Sequence, residues 1–174
     1  MLYVRAFATI YNPVLAVRVL KLIKKEYPNV KLCMVGPDRD GSLALVEKEV
    51  NKLNLEKNIH FTGVLPKEDW HKISKDYDVF INTTNIDNTP VSLIEAMALG
   101  LPIVSTNVGG IPYLMNNGKN ATLVDPNDEK LMANAILELL QNNSKTNMFS
   151  REGRIKAESM DWEVVKEKWF EILK

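Results

Sequence analysis

An apolar segment in the second half of the chain carries two polar side chains at helical spacing. It runs from Val91 to Leu99, and its only polar members are Ser92 and Glu95. Residues three apart share a helix face, and a helix apolar on nearly every side is expected to be buried almost all round. A buried carboxylate is costly unless a partner satisfies it. Either Glu95 occupies a sliver of exposed surface, or the Ser92–Glu95 stripe faces a cleft and accepts hydrogen bonds from a polyol such as a ribose.

The start of the same helix is a candidate anion site. Thr89-Pro90 pairs a capping residue with a proline at the first helical position. The N–H groups of Val91 and Ser92 then lack intrahelical partners, and the helix dipole makes that end partly positive. Such a site suits a diphosphate, although capping by Thr89 or water would satisfy the same groups.

Two adjacent glycines, Gly109 and Gly110, follow the next apolar run. Because glycine has no Cβ, the pair lets backbone approach a ligand closely, and it serves equally well in an ordinary tight turn. The pair alone indicates a loop and does not identify what the loop contacts.

Two Asp-X-Asp triplets, at positions 38–40 and 76–78, are candidate Mg²⁺ or Mn²⁺ sites. The first follows a predicted strand, and a turn that caps the next helix explains it well. The second precedes its strand, so it lies at the wrong edge of the sheet. His60 and His71 are far apart, which leaves almost no material for a zinc site or a Ser-His-Asp triad.

The composition is that of one soluble globular domain of 174 residues, 45% hydrophobic and 25% charged. The 22 acidic residues balance the 22 basic ones, so nucleic acid is not an expected partner. The apolar runs are too short to span a bilayer, and the first residues lack signal-peptide features. The single cysteine, Cys33, predicts a buried strand residue in a reducing compartment, and we expect a cytoplasmic protein.

Short apolar runs alternate with amphipathic segments along the whole chain. The runs are bounded by Gly, Pro, Asn or Asp and lack polar alternation, which is typical of parallel strands covered on both faces. The predicted strands are Leu2–Ala6, Lys31–Val35, Ile59–Thr62, Val79–Asn82, Ile103–Ser105 and Ala121–Val124. The predicted helices run from Asn12-Pro13 to about Tyr27, from Ser42 to about Leu53, from Pro66 to about Lys75, from Thr89-Pro90 to Gly100 and from Asp128 to about Gln141, with two more after about Thr146.

Strict alternation predicts an α/β fold with a doubly wound, six-stranded parallel Rossmann-like sheet and helices on both faces. In such sheets ligands bind at the C-terminal edge of the strands. The candidate residues around Asn82–Glu95 and Gly109 all lie at that edge.

The segment from Asp87 to Gly110 resembles the signature of family 4 retaining glycosyltransferases. It reads Asp-Asn-Thr-Pro-Val-Ser-Leu-Ile-Glu followed by Ala-Met-Ala-Leu-Gly-Leu-Pro-Ile-Val-Ser-Thr-Asn-Val-Gly-Gly. These enzymes have the GT-B fold, two Rossmann-like domains facing across a cleft, and the C-terminal domain binds the nucleotide-sugar donor. Their hallmark is two glutamates separated by seven residues, which correspond here to Asp87 and Glu95. The similarity covers most of the chain, through the motifs at 35–38, 61–63, 78–81 and 123–126 and the closing Trp162.

The resemblance implies a catalytic pair and a donor site. Asp87 would approach the sugar ring, and Glu95 would bind the donor ribose. The other implied donor-binding residues are Arg5 for the phosphates, Gly36, Gly63 and Val64 around the base, and Asn88, Thr89, Val91 and Ser92 for the diphosphate. No metal or other cofactor is implied.

Three positions depart from the family pattern. Asp87 is shorter than the usual glutamate, which alters its contact with the sugar. The lysine that usually follows the arginine is missing from the segment Ala8–Asn12, so the positive charge there is halved. Tyr113 stands where many members have a glutamate.

We therefore expect residues 1–174 to form a single C-terminal, donor-binding domain, with the N-terminal acceptor domain of the same enzyme absent and the isolated domain inactive. The expected function is the donor half of a transferase in polysaccharide or glycolipid synthesis. A nucleotide-sugar 2-epimerase and a non-catalytic binding module are the alternatives. A generic flavodoxin-like domain would leave Glu95 unexplained.

Two further groups of residues have structural or functional interpretations. Lys21, Lys24 and Lys25 form either a solvated helix face or a surface for peripheral membrane association. Trp70, Trp162 and Trp169 fit core-facing positions of amphipathic helices, and we expect them to pack inside the protein.

Overall fold

Six short strands form one parallel sheet in the computed structural model, which describes residues 1–173. The strands are β1 (Leu2–Val4), β2 (Leu32–Val35), β3 (Ile59–Gly63), β4 (Phe80–Asn82), β5 (Ile103–Thr106) and β6 (Ala121–Val124). Their order is β3-β2-β1-β4-β5-β6, and every neighbouring pair is parallel. The predicted doubly wound sheet is confirmed. The strand order reverses between β1 and β4, and that reversal is where such sheets bind ligands.

Helices cover both faces of the sheet. They are α1 (Pro13–Ile23), α2 (Ser42–Leu53), α3 (Lys67–Ser74), α4 (Val91–Ala98), α5 (Ile111–Leu114), α6 (Glu129–Gln141), α7 (Asn143–Glu158) and α8 (Trp162–Ile172). The sequence did not predict α5 or the 3-10 turn Thr9–Tyr11. Helix α1 ends at Ile23, before the predicted Tyr27, and hydrogen-bonded turns continue from there to Tyr27.

Of the residues with which the predicted helices begin, only Asp128 caps its helix with its side chain. Asp128 caps α6 by accepting a hydrogen bond from the Leu131 N–H at 2.8 Å. Asn12 precedes α1 in a left-handed conformation and makes no cap bond. Ser42 is the first residue of α2 and is itself capped by Asp40. Helix α4 begins after Pro90 with no side-chain cap, so its start is open.

Two apolar layers fix the helices on the sheet. One contains Tyr3, Met34 and Ile81 with the inner faces of α1, α2 and α6. The other joins the sheet to α3, α4 and α5, through buried residues that include Trp70, Leu93 and Cys33. Burial of Trp70 and Cys33 is confirmed, at 3% and 1% exposed. Because α3 and α4 share a face, their N-terminal ends lie near one another at the C-terminal edge of the sheet.

Helix α7 holds the far end of α4. Gly153 faces Met97, and a Cβ added at Gly153 would lie 3.4 Å from the Met97 side chain. The Arg154 guanidinium donates to the Ala98 carbonyl, and the Ser150 hydroxyl donates to the Gly100 carbonyl. Helix α7 therefore donates hydrogen bonds to the carbonyl that ends α4 and to one in the turn that follows it.

Some predicted burial is wrong. Trp162 and Trp169 are 63% and 53% exposed, and α8 contains no buried residue. Helix α4 is buried through its middle, but Val91 and Leu99 at its ends are 54% and 38% exposed. An amphipathic pattern marks an apolar face without specifying what covers it. None of the helices in residues 1–173 is both long and apolar enough to cross a bilayer.

Candidate functional site

Buried hydroxyl groups anchor the loop that follows β4. Thr83 donates to the Tyr11 carbonyl at 2.9 Å, which ties this loop to the turn after β1. The Thr106 hydroxyl, at the end of β5, donates to the Thr84 carbonyl at 2.6 Å. Both threonines of the loop are fully buried. The loop therefore presents the residue that follows it, Asp87, from a fixed position at the strand-order reversal.

The two glycines after β5 pack against this loop. A Cβ on Gly109 would lie 2.0 Å from the Asp87 carbonyl oxygen, and one on Gly110 would lie 1.9 Å from the Asn88 carbonyl oxygen. The Gly110 N–H donates to the Asp87 carbonyl at 2.9 Å. The glycines do form a turn, but neither of our two interpretations identified the reason for them. Contact between two loops of the protein requires them.

Arg5 and Asp87, the residues predicted for the phosphates and the sugar, form an ion pair. Arg5 follows β1, and its guanidinium also lies over the Tyr11 ring, 4.2 Å from the centroid. The two side chains are only 21% and 10% exposed. The Arg5 Nε is buried and has no hydrogen-bond partner within residues 1–173. A buried donor without a partner is costly, so this guanidinium can take a further acceptor.

The start of α4 is open to solvent beside this pair. Asn88, Thr89 and Val91 are exposed, whereas Ser92 is 8% exposed. The N–H groups of Val91 and Ser92 precede the first intrahelical bond and point out of the helix end. Thr89 does not cap them. The helix dipole and these free donors favour a bound anion.

Glu95 lies one turn further along α4 and pairs with Lys67, the first residue of α3. Lys67 Nζ is 2.6 Å from Glu95 Oε1. The Glu95 side chain is 18% exposed, and that of Lys67 is 69% exposed. The carboxylate therefore lies between two helices at the C-terminal edge, on the face that also contains Trp70. The sequence did not single out Lys67.

A pocket of about 240 Å³ opens at the ends of β1 and β2. Its walls are Val4, Arg5, Ala6, Val35, Gly36, Pro37, Val64, Leu65 and Trp70. Of the residues predicted to border a base, Gly36 and Val64 line this pocket, and Gly63 does not. Gly36 is required here, because a Cβ at that position would lie 2.2 Å from the Arg5 carbonyl oxygen.

Two larger cavities are present, one next to the site and one at the opposite edge of the sheet. One of about 430 Å³ lies on the far side of the Asp87 loop, and its lining includes Asn88, Thr89, Gly110 and the 88% exposed Tyr113. The other, about 750 Å³, lies at the N-terminal edge of the sheet and includes Asp76 and Asp78 in its lining. It contains none of the predicted site residues.

The Asp38–Asp40 triplet forms a capping turn. Asp38 accepts from the Gly41 N–H at 3.0 Å, and Asp40 accepts from the Thr9 N–H at 2.8 Å and from Ser42. The Ser42 hydroxyl and the Thr9 N–H lower the pKa of Asp40 to about 2. Within residues 1–173, no group of three or more His, Cys, Asp or Glu side chains is arranged to hold a metal ion.

The basic face of α1 has contacts within the protein. Lys21 donates to the Leu53 carbonyl at 2.9 Å, and Lys24 donates to the Asn54 carbonyl at 3.3 Å. Two of the three lysines therefore stabilise the C-terminal end of α2, where cations are favourable. Lys25 is exposed.

This six-stranded sheet has the architecture of one of the two domains of the GT-B fold, and its polar loops lie where the strand order reverses. The chain belongs to the family described as glycosyl transferases group 1, whose model matches residues 1–156. It is 34% identical over 110 residues to a putative colanic acid biosynthesis glycosyltransferase, WcaL, of Salmonella typhimurium. This alignment covers 60% of this chain and 26% of WcaL. The chain spans less than half the length of the first curated relatives it matches, between 26% and 46%.

Solved structures of glycosyltransferases share this fold. HepE of Anabaena, in complex with UDP, matches 99% of this chain and 47% of its own, with a TM-score of 0.90 and 20% identity. The C-terminal domain of the group 1 family protein LpcC of Francisella tularensis matches 91% of this chain and 84% of its own, with a TM-score of 0.81 and 16% identity. At these identities the likeness establishes the fold.

Proposed function

We propose that this chain binds a nucleoside-diphosphate sugar and forms the donor half of a family 4 retaining glycosyltransferase acting in polysaccharide or glycolipid synthesis. The observation that carries the proposal is the convergence of Arg5, Asp87 and Glu95 with the open start of α4 at one edge of the sheet. The membership in the group 1 family and the UDP bound by HepE support it.

The diphosphate would lie over the start of α4. There the N–H groups of Val91 and Ser92 would donate to its oxygens, as would the Arg5 guanidinium. Negative charge builds on the leaving diphosphate during transfer, and fixed donors aimed at that charge lower the barrier. No metal is needed for this stabilisation. When the Arg5 guanidinium donates to phosphate oxygens in place of Asp87, the Asp87 carboxylate becomes free to accept hydrogen bonds from the sugar hydroxyls.

The nucleoside would extend from the diphosphate toward α3. Glu95 would accept the ribose hydroxyls, and the apolar walls of the smaller pocket, Val64, Leu65 and Trp70, would contact the base. Gly36, which follows β2, lines the same pocket. The sugar would lie toward Asp87 and Asn88, beside the cavity that contains Tyr113.

We further propose that residues 1–174 are the C-terminal domain of the enzyme and that an N-terminal domain supplies the acceptor site. The chain matches 84% of the isolated LpcC C-terminal domain but only 47% of the HepE chain, which supports this division. The fragment would then bind nucleotide and show little or no transfer by itself.

Calorimetric titration with UDP, GDP and ADP tests the donor site. Arg5→Ala and Glu95→Ala are each expected to weaken binding of the preferred nucleotide by about tenfold or more, because each removes a charged hydrogen-bonding group. Arg39→Ala and Glu47→Ala, which alter exposed side chains of the same types, should bind like the wild type. Unchanged affinity in both site variants would reject the site.

A non-catalytic nucleotide-sugar-binding module is the second candidate. Asp87 in place of the usual glutamate, already engaged by Arg5, favours it. Product analysis of the full-length protein with a range of acceptors separates the two, since a binding module retains nucleotide affinity and yields no transfer product.

A further inference from the structure

Lys67 stands at a position that its own helix disfavours. It is the first residue of α3, where the helix dipole repels a cation, and the acidic Glu68 and Asp69 follow it as that end prefers. A local preference broken in this way often marks a functional contact.

Glu95 provides the compensating partner across the gap between α3 and α4. Lys67 Nζ lies 2.6 Å from Glu95 Oε1, and it is the only cationic group within 4.0 Å of that carboxylate among residues 1–173. Glu95 is 18% exposed, so its carboxylate has a restricted position, whereas most of Lys67 is in solvent. A substitution at Lys67 therefore removes the bond to this carboxylate without disturbing a packed side chain.

We propose that Lys67 is a positioning residue that fixes the Glu95 carboxylate for ribose recognition. This inference rests on the proposed nucleotide site. A carboxylate has about four acceptor positions, so the lysine on Oε1 leaves acceptor positions free for the 2′ and 3′ hydroxyls. The charge-assisted bond holds the side chain in one rotamer before the nucleotide arrives, which lowers the entropic cost of binding.

The location of the pair favours this role over direct contact with the diphosphate. Glu95 is four residues after Val91, which is about 6 Å along the helix axis from the open N–H groups. Lys67 reaches Glu95 from α3, the helix whose Trp70 lines the smaller pocket together with Leu65. The pair therefore lies beside the nucleoside part of the site.

Comparison of ribose with deoxyribose isolates the effect. UDP, GDP and ADP and their 2′-deoxy counterparts are titrated into the wild type, Lys67→Met, Lys67→Arg and Lys72→Met. Lys72 is the matched control, since it is on the same helix, 72% exposed, and 3.4 Å from Asp69. We expect Lys67→Met to weaken the ribonucleotide about tenfold and its deoxy counterpart less than twofold. Lys67→Arg should restore the preference, and Lys72→Met should retain it.

Two results would overturn the inference alone. Equal weakening of both nucleotides in Lys67→Met would indicate a phosphate contact, and an unchanged preference would indicate no role. If the wild type binds none of the three ribonucleotides, the proposed function itself fails, and the positioning role fails with it.

Discussion

Asp87 and Glu95 belong to one motif and carry the same charge, yet the protein surrounds them differently. Asp87 is 10% exposed and pairs with Arg5, which is itself largely buried against Tyr11. Glu95 is 18% exposed and pairs with a lysine that extends into solvent. The first pair joins two residues that we assign to different parts of one ligand. The second joins the carboxylate that we assign to the ribose to a lysine that we assign to no part of the ligand.

Because of this difference, we expect the two ion pairs to respond differently when a nucleotide binds. We expect the Arg5–Asp87 pair to separate, because phosphate oxygens bound over the start of α4 would compete with the carboxylate for the guanidinium. The Lys67–Glu95 pair can persist, because ribose hydroxyls use other acceptor positions of the carboxylate. Substitutions at the two carboxylates are therefore expected to change affinity in opposite directions.

Gly110→Ala is expected to have the largest effect, and it acts only on the Asp87 side. The added Cβ would meet the Asn88 carbonyl at 1.9 Å, so the two loops must move apart. Forced overpacking of this kind costs about 2 kcal/mol of unfolding free energy, measurable by urea denaturation. Gly153→Ala on α7 is the control, because the added Cβ would make an ordinary 3.4 Å contact with the Met97 side chain. Equal stability of the two variants would contradict the loop contact.

Glu95→Gln is expected to lower affinity for the preferred nucleoside diphosphate about tenfold, which corresponds to about 1.4 kcal/mol. The amide keeps the shape of the side chain but offers one acceptor oxygen and loses the ion pair with Lys67. Calorimetry measures the change, and Glu47→Gln on the exposed face of α2 is the control. A loss that is the same for ribose and deoxyribose nucleotides would argue against a ribose contact.

Asp87→Asn is expected to raise affinity for the same nucleotide about threefold, because Arg5 no longer has to leave a charged partner. Transfer by the full-length enzyme should fall in the same variant. Asp125→Asn, an exposed residue after β6 at the same edge, controls for the change in net charge. Weaker nucleotide binding in Asp87→Asn would show that the Arg5–Asp87 pair assists the phosphates and does not compete with them.

The smallest expected effect is a pH-dependent change in Tm on substitution of Asp40. This carboxylate lies outside the proposed site and serves as a reference for Asp87 and Glu95. Ser42 and Thr9 lower its pKa from 3.8 to about 2, so the folded state favours the ionised form. Its contribution to stability is present above pH 4 and is lost as the pH falls toward 2. The difference in Tm between wild type and Asp40→Asn should therefore shrink between pH 4 and 2. A difference that stays constant over this range would remove Asp40 as the cause.

Much of the fold could be predicted because the central strands are buried on both faces. That burial leaves continuous apolar runs such as Leu32–Val35, which a sequence reveals directly. The exposed Trp162 and Trp169 were mispredicted, since periodicity identifies an apolar stripe and not its neighbour. Thr89 does not cap α4, because the residue directly before the helix is Pro90. The Asn12 side chain donates to Asn127 and not to the start of α1.

The site was predicted as separate residues and not as contacts. The motif identified Asp87 and Glu95, but nothing in the sequence specifies the distance from α3 to α4, so Lys67 was missed. Its signal was a cation in a first helical turn, where the dipole disfavours it. The Gly109-Gly110 pair was visible, but only the packing of two loops explains why both positions lack a side chain.

The two ends of the α4 helix dipole have different surroundings, because α7 donates hydrogen bonds at the C-terminal end. Arg154 donates to the Ala98 carbonyl at the end of α4 and Ser150 donates to the Gly100 carbonyl just beyond it, whereas no side chain caps the first N–H groups of the helix. The Arg154 cation thereby offsets the negative end of the helix dipole, and no side-chain acceptor offsets the positive end. Since the chain has a formal net charge of zero, it exerts little long-range pull on an anion. Capture of a dianion then depends on a field that acts over a few ångströms, so its association rate should change little with ionic strength.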